Sequence, residues 1–412
     1  MWSGHSCPPS RLSSRLDPLE SALRGPEAWP EARSTGRGQS RAGAGAGAGQ
    51  GGKSGGKSAR HLPVPDGPQL CLAWNRHATT IEVVQSKRIL VTGGAGYIGS
   101  HTVRLLLEQG HEVTVVDNLS KGYRHNVPAN ILYKLNIGDT QALKELMRQV
   151  RCQAVIHFAA FISVGESMRE PERYFANNVA GSLSLLTAMV ETGVKHMVFS
   201  STAAVYGDPP SSPIPETSPI QPVNPYGESK VMVETMLRWF DRIHGLTAVC
   251  LRYFNACGAD PAGRLGEEHE PETHLIPLLL RAVITGRPVT VFGNDYDTPD
   301  GTCIRDYIHV NDLAQAHILA LDYLLGGGVS DQFNVGTGAG HTVMAVIRAV
   351  EEVTGKKVPY VIGPRREGDP PGLVAASGKL REKLGWEPRY TDLGTIVEHA
   401  WNFARKQAAP KT

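Results

Sequence analysis

Three observations predict an α/β fold: a doubly wound parallel sheet of the Rossmann type, followed by a smaller C-terminal α/β region. Short apolar runs alternate with stretches of helical period from Lys87 onward, a glycine-rich turn opens the first of those helices, and the alternation loses its regularity after about residue 264. The chain has 412 residues, 41 % of them hydrophobic, which supplies enough apolar surface for one large or two ordinary cores.

Each element follows in turn. "KRILVTGG" is an apolar run closed by glycines, "YIGSHTVRLLLEQGH" has helical period with a glycine stop, and "EVTVVD" is a second strand, so the three form a βαβ unit. "QAVIHFAA", "HMVFSS" and "TAVCLRYF" read as further buried strands, each separated by helical or loop stretches. Beyond Leu265 come short strands at "PVTVFG" and "QFNVG" and helices at "VNDLAQAHILALDYLL" and "TVMAVIRAVEEVTG". The division is therefore 87–264 for the main sheet and 265–412 for a region covering the substrate, with the chain free to cross between them.

Residues 1–86 are of another character. They are rich in Gly, Ser, Pro, Ala and Arg around "RAGAGAGAGQGGKSGGKS", a composition that cannot bury enough apolar surface to offset its ordering entropy, so a disordered low-complexity extension is expected. Asp17, Glu20, Glu27 and Glu31 argue against an organellar transit peptide. This segment carries 10 Lys+Arg against 6 Asp+Glu, leaving 32 against 34 for the remainder. The near-neutral folded part lacks the basic face of a nucleic-acid binder. No apolar run approaches the roughly 20 residues of a membrane span, and the N-terminus has no secretory apolar block, so a cytoplasmic location is expected. The six cysteines form no C-x-x-C pair and no Cys/His metal spacing; reduced, mostly buried thiols and no metal are the expectation.

The chemistry starts at "TGGAGYIG". Gly93, Gly96 and Gly99 sit between the first strand and the first helix, where glycine permits a tight turn and close backbone approach while the helix N-terminus offers free N–H groups to a pyrophosphate. Asp117 closes the second strand about 20 residues on, as a carboxylate that accepts from an adenosine ribose diol and repels a 2′-phosphate. The expected cofactor is NAD rather than NADP.

A second pattern is Y-x-x-x-K. Of the twelve tyrosines only Tyr226 has it, with Lys230 one helical turn on and "NP" marking a helix start. A free phenol has a pKa near 10, and a neighbouring ammonium lowers it. "VFSSTAAVYG" ends a parallel strand, where ligands of such sheets bind, so Thr202 is placed to bridge a substrate oxygen and Tyr226.

With these residues assembled, "TGGAGYIG", "HFAA", "SSTAAVYG" and "YGESK" resemble the extended short-chain dehydrogenase/reductase family. "LRYFNACGADPAG", "FGNDYDTPDGTCIRDYIHVNDLA" and "RREGDP" are similar to its UDP-glucose 4-epimerase branch, and the resemblance runs from about Lys87 to the C-terminus. It implies that Tyr226 takes the proton of a sugar 4-hydroxyl during oxidation by tightly held NAD, and that the 4-keto sugar turns over in the pocket before reduction on its other face. Lys230 and Thr202 complete this catalytic set. The cofactor contacts it implies are Tyr97, Ile98, Asn118, Asn136, Ile137, Phe158, Ala159, Ala160, Asn178 and Tyr253, beside the glycines, Asp117, Tyr226 and Lys230. Asn136 stands where many members have an acidic residue, and Ile162 where some have Lys.

For a UDP-sugar the resemblance implicates Thr202, Phe254, Asn255, Leu275, Thr290, Phe292, Asp369 and Leu373, with Arg305 and Arg366 as diphosphate clamps because a guanidinium pairs with phosphate oxygens in a fixed fork. His274, which stands where some relatives have Asn, receives no catalytic role. Leu373 falls where a bulky aromatic is associated with excluding N-acetyl sugars, so UDP-GlcNAc and UDP-GalNAc are further expected substrates beside UDP-glucose and UDP-galactose. A UDP-pentose 4-epimerase is an alternative. A homodimer is also implied. Two rivals stand beside this reading: a nucleotide-sugar dehydratase or decarboxylase, which would carry an acid where this chain has Ala203 and Ala204, and a non-catalytic NAD sensor, which has no use for the Tyr226, Lys230 and Thr202 set.

Overall fold

The computed structural model describes residues 85–366 and 370–408. The expected disorder of residues 1–86 therefore falls almost wholly outside the described residues, as does Asp369. Among the described residues the strands run, in chain order, as β1 (Arg88–Thr92), β2 (Glu112–Asp117), β3 (Leu132–Lys134), β4 (Ala154–His157), β5 (His196–Thr202), β6 (Thr247–Tyr253), β7 (Asn255–Cys257), β8 (Val289–Phe292), β9 (Ile304–His309), β10 (Asp331–Val335), β11 (Gly340–Thr342), β12 (Tyr360–Gly363) and β13 (Gly372–Leu373). The helices are α1 (Tyr97–Glu108), α2 (Thr140–Gln149), α3 (Val164–Ser167), α4 (Pro171–Tyr174), α5 (Gly181–Thr192), α6 (Pro225–His244), α7 (Leu275–Thr285), α8 (Val310–Leu325), α9 (Val343–Thr354), α10 (Gly378–Leu384) and α11 (Leu393–Ala408).

Seven strands form one wholly parallel sheet in the order β3-β2-β1-β4-β5-β6-β10. The order reverses between β1 and β4, which opens a crevice at the carboxyl ends of those strands. Alternate residues of each strand feed two cores, as a sheet covered on both faces requires. Ile89, Val91 and Ile156 pack with Leu313, Leu321 and Leu324 of α8 and Val103 and Leu106 of α1. Leu90, Val155 and Phe199 pack on the other face with Leu143, Leu185, Met189, Val233 and Leu237 of α2, α5 and α6. Truncating one of these leucines to alanine typically costs about 2–5 kcal/mol.

A third core joins Ile276, Leu279, Val346, Ile347, Ile396 and Val397, from α7, α9 and α11. The sheet of β9, β11 and β13, with β7 alongside β9, and the β8–β12 pair lie outside the large sheet. Sequence periodicity grouped α8 and β10 with the C-terminal region, whereas both belong to the large sheet and its cover. Their apolar residues are buried against β1 and β6, and Trp386 fixes the later chain to α8 by donating from Nε1 to the Asp312 carbonyl at 2.9 Å. Among the described residues no helix is long and apolar enough to cross a membrane.

Candidate active site

The glycine turn lies where β1 meets α1. Gly93 has φ +70°, and a Cβ there would stand 2.6 Å from the Ala159 amide nitrogen, so glycine is required both by conformation and by the close passage of the loop after β4. A Cβ on Gly99 would meet the Gly93 carbonyl oxygen at 2.3 Å, which enforces tight packing of α1 on the turn. Gly96 caps α1 without a side-chain partner. Tyr97 is buried and donates to the Gly258 carbonyl at 2.7 Å, while Ile98 packs on the core behind it.

Asp117 ends β2 with its carboxylate buried. Its oxygens accept from Ala95 N at 3.0 Å and Leu119 N at 2.8 Å, bonds that tie the glycine turn to the acidic residue. Burial raises its pKa and those two amides oppose the rise. Each oxygen keeps a lone pair for a further donor. Asn118 and Asn136 shape their own turns by accepting from Ser120 N and Gly138 N, and Ile137 is buried against Gly181 at the start of α5.

The loop after β4 carries Phe158, Ala159 and Ala160. Phe158 lies 4.6 Å, ring to ring, from His317. Asn178, 2 % exposed, secures this loop: its Oδ1 accepts from Phe161 N at 2.8 Å and its Nδ2 donates to Phe161 O at 3.0 Å and Ser229 Oγ at 3.1 Å. It sits in the π-helical turn Phe175–Ala180, a distortion frequent at functional sites, which here aims the amide at both the loop and α6.

α6 begins as its sequence requires. Asn224 caps it by accepting from Gly227 N at 2.8 Å, Pro225 occupies the first turn, and Gly245 closes it in the left-handed region. Tyr226 and Lys230 thereby project together toward the end of β5, where Thr202 Oγ1 accepts from Ala204 N at 3.2 Å and lies beside the Tyr226 phenol. Burial pushes that phenol's pKa up and the neighbouring Thr202 hydroxyl opposes the rise. Lys230 is 2 % exposed, donates to Ser200 O at 2.7 Å, and holds its Nζ 6.0 Å from the centre of the Tyr226 ring. Burial lowers its pKa to about 7, with Glu234 acting the other way. Tyr253 is in register with Thr202 across β5 and β6 and hydrogen-bonds Ser200.

Sequence reasoning missed the residues that hold this set. Glu234, on the face of α6 that carries Lys230, accepts from Ser201 Oγ at 2.6 Å and from Arg252 Nε and Nη2 at 3.0 and 2.6 Å; Arg252 also donates to Tyr206 Oη at 3.0 Å. His157 bridges Thr92 Oγ1 at 2.6 Å and Ser182 Oγ at 2.8 Å, and burial beside Lys230 lowers its pKa to about 3. The spacing Lys230 to Glu234, one helical turn, was the available signal for the first of these.

The expected sugar-nucleotide residues fall in two groups. Phe254 and Leu373 pack with Ala203, Val205, Tyr206 and Ile214 immediately behind Thr202. Leu373 is in register with Arg305, whose buried guanidinium donates to Pro370 O at 3.0 Å. Asn255 and Leu275 line one small cavity with His274 and Tyr307. Thr290 and Phe292 lie on β8, and the exposed Arg366 stacks 4.0 Å over the Phe292 ring; no hydrogen bond or ring contact among the described residues joins that group to Tyr226.

The reversed strand order, the glycine turn closed on Ala159 and the carboxylate at the end of β2 define the class: a dinucleotide-binding, doubly wound α/β protein. Residues 89–336 match the NAD dependent epimerase/dehydratase family, and the chain belongs to it. A UDP-glucose 4-epimerase of Halalkalibacterium halodurans is 53 % identical over 319 residues, 77 % of this chain and 96 % of that one. The crystal structure of the UDP-glucose 4-epimerase from Brucella ovis in complex with NAD aligns with a TM-score of 0.76 and 46 % identity, covering 77 % of this chain and 99 % of the other. The UDP-Glc/GlcNAc 4-epimerase of Campylobacter jejuni aligns with a TM-score of 0.69 and 41 % identity over 78 % of this chain and all of that one.

Proposed function

We propose that this protein is an NAD-dependent 4-epimerase that interconverts UDP-glucose and UDP-galactose through a transient 4-keto sugar. The observation that carries the reading is the convergence of Tyr226, Lys230 and Thr202 at the carboxyl ends of β5 and α6's first turns, followed by Ala203 and Ala204 in place of an acid. Relatives named UDP-glucose 4-epimerases, matched over 96 % and 94 % of their own length, support it.

The residues present fit the cofactor. Cβ atoms at Gly93 and Gly99 would strike Ala159 and the Gly93 carbonyl, so glycine keeps the turn close against the N-terminus of α1, whose first N–H groups suit a pyrophosphate; Asp117 faces the ribose position, and Phe158, Ala159, Ala160, Asn178 and Tyr253 border the crevice on the β4 side. When bound, NAD supplies the two-electron acceptor and donor for the sugar carbon. The protein's own part is to move one proton and hold the sugar. Tyr226 takes the proton of the 4-hydroxyl and returns it, Thr202 bridges the phenol to that oxygen, and Lys230 supplies the positive charge that a buried phenolate needs. With no acid after Thr202, nothing removes a second proton from the ring or assists a leaving group, which separates this site from a dehydratase or decarboxylase. A sensor would have no use for a buried lysine beside a buried tyrosine.

Arg305 and Arg366 flank the place of the diphosphate, with Phe254, Asn255, Leu275, Thr290, Phe292 and Leu373 about the sugar and base. Leu373 leaves the sugar pocket without an aromatic wall, which favours turnover of the N-acetylated pair as well. We read the protein as a cytoplasmic homodimer: Met232, Trp239 and Ile243 form an exposed apolar stripe along α6, with exposed Leu183 on neighbouring α5. Supplying UDP-hexoses, UDP-N-acetylhexosamines and UDP-pentoses in turn and weighing each product tests the reading. An epimer of unchanged mass from UDP-hexoses is expected; loss of water or carbon dioxide would establish the lyase chemistry instead, and turnover of pentoses alone would reassign the substrate.

A further inference from the structure

Between β7 and α7 the chain reads Glu267-x-His269-x-x-Glu272-x-His274, and the loop folds these four side chains onto one another. One ligating atom from each lies within 4.8 Å of the other three. Both rings turn the same nitrogen, Nδ1, inward. His269 Nδ1 is 3.2 Å from Glu267 Oε1, which also pairs with His274 Nδ1. Glu272 Oε1 lies 3.7 Å from His269 Nδ1 and 4.0 Å from His274 Nδ1, too far to bond either. That oxygen is instead aimed by Thr273 N at 2.7 Å and His274 N at 2.9 Å. Contacts inside the cluster thus engage Glu267 with both rings and leave Glu272 Oε1 facing them without a bond to either.

We propose that Glu267, His269, Glu272 and His274 form a tetrahedral binding site for a borderline divalent transition-metal ion of the zinc class. Zinc bonds of about 2.0–2.1 Å to nitrogen and oxygen place tetrahedral donors roughly 3.3 Å apart, so the pairs at 3.7 and 4.0 Å need to close by well under an ångström while the directly bonded Glu267–His274 pair opens to admit the ion. Imidazole with carboxylate selects such ions over magnesium or calcium, which prefer six or more oxygens. Both carboxylates are buried, with side chains 4 % and 2 % exposed, and their ion pairs among the described residues are with these two histidines alone. An ion would therefore neutralise charge that no lysine or arginine pairs. His274, 41 % exposed, marks the open side, and a cavity of about 360 Å³ bordered by Glu267, His269 and Glu272 gives a way in.

The site's place in the fold gives it a structural role. His269 meets Tyr97 of the glycine turn edge-on at 6.3 Å, Lys121 Nζ donates to Glu270 O at 3.0 Å, and His125 Nε2 pairs with Glu268 at 2.8 Å, so the loop braces the chain after β2. Its other end is Leu275, first residue of α7. A bound ion would fix one wall between the cofactor turn and the sugar-nucleotide side of the cleft. Scanning for cysteine and Cys/His spacing passes over such a site, because half its ligands are glutamates.

The test uses the full chain, stripped with EDTA and titrated with zinc chloride by calorimetry, with the melting temperature and the zinc K-edge absorption spectrum measured on the same sample. One equivalent per chain, a melting temperature raised by several degrees, and a spectrum of nitrogen and oxygen neighbours without sulfur are expected. His269→Ala with His274→Ala should weaken binding by more than the roughly 10- to 100-fold typical of losing an outer-shell partner. Glu272→Gln, which preserves shape, serves if that double variant does not fold, with retained far-UV circular dichroism as the check. Absence of saturable zinc binding, sulfur ligation, or affinity unchanged in these variants would overturn the proposal.

Discussion

At the scale of single residues the account turns on a phenol that burial makes a poorer acid and a lysine that burial makes a weaker base. Each is tolerable because the other, with Thr202, is present. Tyr226→Phe removes the proton carrier while keeping the ring's packing, so kcat should fall about 10²- to 10⁴-fold with NAD content unchanged, read by turnover and by nucleotide extraction. Lys230→Met should act through the phenol. Burial alone favours the neutral amine of Lys230, but a phenolate at Tyr226 and the ammonium stabilise one another, so the wild-type enzyme has help in ionising Tyr226 that the variant lacks. The rising limb of the kcat–pH profile should therefore move to higher pH in the variant, and an unmoved limb would assign Lys230 to cofactor binding alone. These two residues were legible in the sequence because their spacing is a helical turn behind a helix-start signal. The partners of their neighbours were not, because Arg252 and Ser201 reach Glu234 across strands that only the folded sheet brings together.

At the scale of elements, α6 is the platform of the site, and the Glu234–Arg252 pair moors it to β6. Burial pushes the Glu234 carboxyl up, but the Arg252 guanidinium and Ser201 outweigh it and hold the pKa below the usual value. A depressed carboxyl contributes stability that is present above the unfolded pKa of about 4.3 and is lost as pH falls through the folded one. Glu234→Gln leaves the guanidinium buried without its charge partner and should cost about 3–5 kcal/mol in chemical denaturation near neutral pH. The gap between wild type and variant should be flat above about pH 5 and narrow in more acid solution. Strands β1, β2, β4, β5 and β6 were readable from continuous apolar runs, since both faces of each are buried. β3 and β9 were not: Leu132–Lys134 is a three-residue edge strand with two exposed side chains, and Ile304–His309 mixes buried Arg305, Asp306 and His309 with apolar neighbours.

At the scale of the whole molecule, the doubly wound sheet is visible in the sequence, while the path of the chain is not. Periodicity identified α8 and β10 as helix and strand, yet only the apolar contacts of Leu313, Leu321 and Phe333 assign them to the large sheet rather than to the C-terminal region. Trp239 and Ile243 are 54 % and 65 % exposed, so if the proposed homodimer forms through α6, the wild type should sediment as a dimer and Trp239→Glu with Ile243→Glu as a monomer; an unchanged mass would move the interface elsewhere, and a monomeric wild type would refute the homodimer. The proposed epimerisation joins the cofactor crevice to the Tyr226 site in one reaction. It is tested most directly by incubating the purified protein with UDP-galactose, without added cofactor, and following UDP-glucose by chromatography. UDP-glucose should form at a rate that depends on Tyr226. No product from UDP-galactose, even after NAD is supplied, would contradict it.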